Sequence, residues 1–157
     1  MPANLAFMKM AISLATENVR SGAGGPFGAV VVKDGRLIAA CANSVTATND
    51  PTAHAEVNVI RAACKTLGTF QLAGCEIYTS CEPCPMCMAA MYWARPAAVY
   101  YANTKQDAAE AGFDDSFIYT ELALEPERRT MQVVHVPVDG AIVNFDTWRQ
   151  SQARVDY

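Results

Sequence analysis

From about Leu5 to Val19, apolar positions recur at the three- and four-residue spacing of a helix face. The glycine-rich stretch Gly22–Gly25 reads as a loop, and the period then shortens. FGAVVVKDGRLIAACAN holds two β-prone runs around Asp34-Gly35, a dipeptide that readily supplies the positive φ of a tight hairpin turn. Thr46–Thr52, with Asn49-Asp50-Pro51, reads as a loop. A helix is predicted from between Thr52 and His54 to about Leu67, with Val57, Ile60, Ala63 and Cys64 facing inward. Gly74 closes the next loop, Cys75–Ser80 reads as a strand, and a helix follows from about Pro83 to Trp93. Pro83 and Pro85 are tolerable there because a first helical turn has no internal donor bonds to lose. Arg95-Pro96 stops that helix and Ala97–Ala102 reads as another strand. Short helical stretches at Gln106–Ala111 and Phe117–Leu124 lead to MQVVHVPV, read as a last strand, and Ala141–Tyr157 is read as a closing helix with a loose end. Helices alternating with mostly buried strands predict an α/β layered sandwich around one mixed sheet.

Composition narrows this picture. The 157 residues suit one domain, and 52% hydrophobic with 18% charged residues lies in the globular range. No apolar run reaches the ~18 residues that suggest a membrane span. The first twenty residues lack a basic start, an apolar core and a small-residue cleavage site, which points to the cytoplasm. A net charge of −4 and a pI of about 5.1 give no basic face for a phosphate backbone. Arg128-Arg129 is a short pair flanked by Glu125 and Glu127, so a small substrate is favoured over a polynucleotide. In a reducing compartment, six clustered cysteines more often bind metal or do chemistry than pair as disulfides. Cys41, Cys64 and Cys75 lie in apolar surroundings and read as plain buried residues.

The informative spacing is His54-Ala55-Glu56 followed by Pro83-Cys84-Pro85-Met86-Cys87. One histidine and two cysteines form a catalytic zinc set with a fourth position open for water. Cysteines three apart at a helix start project to one side, where the helix N-terminus favours thiolate charge. Glu56, two residues from the histidine, suits a proton shuttle. Hydrolytic deamination must deprotonate water, protonate a ring nitrogen and protonate the departing amine, and one carboxylate beside the metal can serve all three. The ordered pattern H-x-E…P-C-x-x-C is the signature of zinc deaminases. A structural zinc site would need a fourth protein ligand, for which only His135 or Cys81 is available, and His135 reads as an ordinary strand histidine.

DPTAHAEVNVIRAAC and YTSCEPCPMCMAAMYWARP resemble the cytidine deaminase-like superfamily, in its branch of base and tRNA deaminases. VYYANTKQDAAEAGFDDSFIYTEL and the terminal tyrosine are similar to the bacterial guanine deaminase family. The resemblance implies a three-layer α/β/α sandwich with a five-stranded mixed sheet, one zinc per subunit, and hydrolysis of guanine to xanthine and ammonia. It implies His54, Cys84 and Cys87 as ligands, Glu56 as shuttle, and Asp115 as a second acid near the exocyclic amine. Asn43 would hydrogen-bond the purine. Phe27, Ala55 and Trp93 would line the pocket, and Tyr157 would close over it. A homodimer is implied too, with the segment at about 140–157 exchanged between subunits.

Other readings stand beside these. Asp114 and Asp115 suit a cap for a helix near Ser116, Asn43 a turn, Trp93 a core position and Tyr157 a frayed end. The alternative functions are a tRNA adenosine deaminase, a deaminase of guanosine, cytosine or ammeline, and a structural zinc module for interaction.

Overall fold

The computed structural model describes residues 2–157, which divide into two compact units, one ending at Asp115 and the other spanning Ser116–Tyr157. In the first, α1 (Leu5–Arg20) begins at Asn4, whose side chain accepts from the Ala6 N–H as an N-cap should. The hairpin β1 (Gly28–Lys33) and β2 (Arg36–Ala42) turns at Asp34 and Gly35, both with positive φ. A short helix, α2 (Val45–Thr48), interrupts the stretch read as a pure loop. Then come α3 (Ala55–Leu67), β3 (Cys75–Cys81), α4 (Pro85–Ala94), β4 (Ala98–Asn103) and α5 (Lys105–Glu110).

The sheet order is β2-β1-β3-β4, with β1 antiparallel to both neighbours and β3 parallel to β4. Alternation along β1 and β3 feeds two cores. Val30, Val32 and Tyr78 pack with Met8 of α1 on one face. Ala29, Val31 and Ile77 pack with Val59 of α3 and Met91 of α4 on the other. Gly28 lets α1 lie close to β1: a Cβ there would sit 2.4 Å from the Ala11 carbonyl oxygen and 2.8 Å from the Ala15 nitrogen. The inner face of α3 is Ala55, Glu56, Val59 and Ala63, so Val57, Ile60 and Cys64 flank it half-buried instead of forming its centre.

The second unit contains α6 (Ser116–Ala123), a 3-10 turn (Pro126–Arg128) and α7 (Val143–Gln150). Glu121 accepts from the Thr130 N–H at 2.7 Å and from its hydroxyl at 2.9 Å. The expected fifth strand is not formed: the sheet has four strands among the described residues, and 131–138 is irregular and joins no sheet. A strand needs a partner edge, and its own unit contains no other strand. Pro137 also removes a donor. Met131, Val134, Val136 and Val138 stand exposed in consequence, and no residue of this unit is buried.

Candidate zinc centre

The two helix starts meet where the spacing predicts. His54 is the N-cap of α3 and Cys84 the N-cap of α4, both with extended backbone, and Cys87 lies in the first turn of α4. His54 Nδ1 is 3.6 Å from Cys84 Sγ and 3.5 Å from Cys87 Sγ. Tetrahedral zinc bonds of about 2.3 Å to sulfur and about 2.0 Å to nitrogen would place those atoms about 3.5 Å apart. The donor set and its separations therefore fit one zinc ion, leaving a fourth position for water. Among the described residues the candidate ligand group consists of these three side chains. Cys81 is turned into β3 with its sulfur directed at the Thr104 carbonyl oxygen (3.5 Å), and His135 lies in the exposed 131–138 segment. Within the first unit, then, Cys81 does not join the three as the fourth ligand that a structural zinc site would need.

Electrostatics support metal capture. Without metal, hydrogen bonding with Cys87 and His54 holds Cys84 down to about 4, while the bond to Cys84 and then burial push the Cys87 thiol up. His54 is raised chiefly by its hydrogen bond with Cys84. The two thiols are thus held in one coupled pair, and binding of a dication would deprotonate both. Glu56 is buried at 4% exposure; desolvation raises its carboxyl, the Cys84 charge adds to this and His54 opposes it. Thr79 Oγ1 lies 3.4 Å from Glu56 Oε1 and 2.9 Å from the Cys81 carbonyl oxygen. The hydroxyl has one proton; given to that carbonyl, it leaves a lone pair toward the carboxyl.

The remaining residues fall into two groups. Ala55 is fully buried at the start of α3, and Asn43 is buried where the hairpin ends. The Phe27 ring meets Phe113 edge-on at 5.0 Å and 88°, two residues before Asp115. Asp115 is half-buried; burial raises its carboxyl and the Cys84 charge adds to the effect. These residues share the first unit with the zinc ligands. Trp93, on α4, is 64% exposed and so is not a core position, and Tyr157 belongs to the second unit and is exposed. Sequence reasoning missed Thr79, Phe113, Asn18 and Asn58. Asn18 had a signal: it follows Ala11 and Ala15 on the buried face of α1, a polar residue at an apolar position.

A histidine, two cysteines and a buried glutamate at two helix starts beside a mixed sheet define a zinc-binding deaminase domain. The family model for the cytidine and deoxycytidylate deaminase zinc-binding region matches residues 1–103. The chain belongs to that family. It is 56% identical over 151 residues to guanine deaminase of Bacillus subtilis, covering 96% of this chain and 97% of that one. The crystal structure of the B. subtilis guanine deaminase superposes with a TM-score of 0.97 at 54% identity over 99% of both chains. Guanine deaminase from Nitrosomonas europaea gives a TM-score of 0.68 at 32% identity, covering 82% of this chain and 70% of the other. The tRNA-specific adenosine deaminase of Agrobacterium fabrum matches over 89 residues at 48% identity, covering 55% of this chain and 59% of that one.

Proposed function

We propose that this chain hydrolyses guanine to xanthine and ammonia. The observation that carries the substrate is that likeness to a guanine deaminase runs through 96% of the chain, whereas likeness to the A. fabrum tRNA deaminase stops at 55%. Zinc, when bound, polarises water and lowers its pKa toward neutrality. Glu56 takes one proton of the water that attacks C2 and passes it to a ring nitrogen. It then takes the remaining proton of the C2 hydroxyl and delivers it to the amine, so that the C2–N bond breaks, the C2 carbonyl forms and ammonia leaves. Its burial suits a group that must hold a proton between transfers. Asp115 accepts hydrogen bonds from the exocyclic amine and helps it depart. Asn43 fixes the ring, and the Phe27 and Trp93 faces and Ala55 bound it.

The second unit has no buried residue, while Phe117, Ile142, Val143 and Phe145 are exposed. That supports a homodimer in which the C-terminal segment is exchanged, with Tyr157 closing a site. No helix among the described residues is long and apolar enough to cross a membrane, and we place the enzyme in the cytoplasm.

Ammonia release with guanine, guanosine, adenine, cytosine and ammeline, and inosine formation in a tRNA anticodon, test the reaction. Guanine should have the highest kcat/KM. Faster turnover of another base, or inosine in the anticodon, overturns the substrate assignment. Light scattering should give twice the monomer mass, and a monomer at catalytic concentration refutes the exchange.

A further inference from the structure

We infer that Asn18 is a positioning residue for purine recognition, acting through Asn43; the inference rests on the proposed role of Asn43. Asn18 is 8% exposed, near the end of α1. Its amide nitrogen donates to the Gly25 carbonyl and to the Asn43 carbonyl, both at 2.8 Å. Those bonds use both amide hydrogens. They tie the glycine-rich loop to the residue where the hairpin ends.

The loop returns the connection. The Gly25 N–H donates to Asn43 Oδ1 at 3.3 Å. An N–H can only donate, so the oxygen of the Asn43 amide faces the loop and its NH2 faces away. No acceptor among the described residues is bound to that NH2. The residue is 9% exposed, yet no fully buried side-chain nitrogen or oxygen among the described residues lacks a partner. The NH2 therefore keeps its opening to solvent, as a donor awaiting a ligand acceptor.

The other side of Asn43 is tied to the metal helix. Asn58 of α3 donates to the Ala42 carbonyl at 3.0 Å and lies 3.3 Å from the Ala53 carbonyl, and the Ser44 N–H donates to the Ala53 carbonyl at 3.0 Å. Ala53 immediately precedes His54. Asn43 thus sits between a bond network leading to the zinc ligands and a clamp made by Asn18. Gly24 passes so near that clamp that a Cβ would lie 2.6 Å from the Asn43 carbonyl oxygen and 2.8 Å from Asn18 Nδ2. Loss of Asn18 frees the loop and allows the Asn43 amide to rotate, presenting its oxygen instead of its NH2 to the ring.

The test is a double-mutant cycle on the zinc-loaded enzyme with guanine, using Asn18→Ala, Asn43→Ala and the pair. Asn18→Ala should raise KM about tenfold with kcat changed less than about threefold, the scale of one misplaced hydrogen bond. In the Asn43→Ala background the same change should leave KM unmoved, because the group it orients is gone. Gly24→Ala, which wedges the clamp from the loop and leaves the Asn18 side chain in place, should reproduce the KM effect even if Asn18→Ala folds poorly. Additive effects of Asn18 and Asn43, or a normal KM in Gly24→Ala, refute the clamp. If Asn43→Ala itself leaves KM unchanged, the recognition role of Asn43 fails instead, and the clamp with it.

Discussion

Replacing Glu56 by Gln should separate chemistry from stability. The amide keeps the shape of the carboxyl and a group to meet Thr79, so the fold loses little packing. It cannot cycle a proton. The proton transfers of the proposed reaction pass through this side chain; the two thiols beside it are taken as ligands, Thr79 does not act as an acid or base near neutrality, and Asp115 is assigned only to the departing amine. The loss should lie at the upper end of the range for one acid–base group, about 10^4-fold in kcat, or about 5 kcal/mol on the barrier. Stability should move the other way. Burial raises the Glu56 carboxyl above its unfolded value, so the folded metal-free chain binds the proton more tightly. That chain therefore loses stability as pH rises from the ordinary glutamate value, about 4.3, to the raised folded one. The glutamine variant escapes this penalty. Its metal-free melting temperature should match the wild type near pH 4 and exceed it at pH 8. The assays are ammonia release with zinc content measured in parallel, and thermal melts after chelation. A drop in kcat below tenfold with zinc retained, or a variant less stable at pH 8, refutes the reasoning.

Cys87→Ser should lower zinc occupancy and abolish turnover, and chelation of the wild type should lower its melting temperature, because a ligand that binds only the folded state stabilises it; equal melts with and without metal contradict the site. Gly28→Ala should destabilise by about 1–3 kcal/mol or more by pushing α1 away from β1, read from urea unfolding, since the added methyl meets backbone that cannot yield. Asp107 caps α5 by accepting from the Thr104 N–H and hydroxyl, which lowers its carboxyl below the usual range. Its contribution is complete above about pH 4 and is lost as pH falls through the lowered folded value. Asp107→Asn should therefore flatten the acid limb of the stability profile, and an unchanged limb counts against the cap.

The first unit was largely legible in the sequence because its signals are local. Asp34-Gly35 makes the hairpin turn, the helix starts coincide with the ligands, and Arg95 ends α4 with positive φ. His54, Cys84 and Cys87 announce themselves by spacing and residue type. Asn18 is marked only as a polar residue on a buried helix face and Asn58 not at all, since the Asn43 and Ala42 carbonyls that they bind come near only on folding. The 131–138 segment failed for a related reason. Its valines have the composition of a strand, but a strand is a relation to a neighbour, and none is available within its own unit. The alternative core reading of Trp93 does not hold, since this aromatic residue faces outward from a core helix.

The placement of Cys81 also bears on how the metal is acquired. Cys81, Cys84 and Cys87 are spaced three apart, so an unfolded chain offers three adjacent sulfurs to any zinc ion it meets, with no help from His54. Pairing of β3 with β4 takes Cys81 out of that contest by directing its sulfur at the Thr104 carbonyl. Selection of the right ligands is thus a folding event, and the order of mixing matters. Zinc supplied before refolding should capture the misligated chain and slow recovery of activity, whereas zinc supplied afterwards should load the site directly.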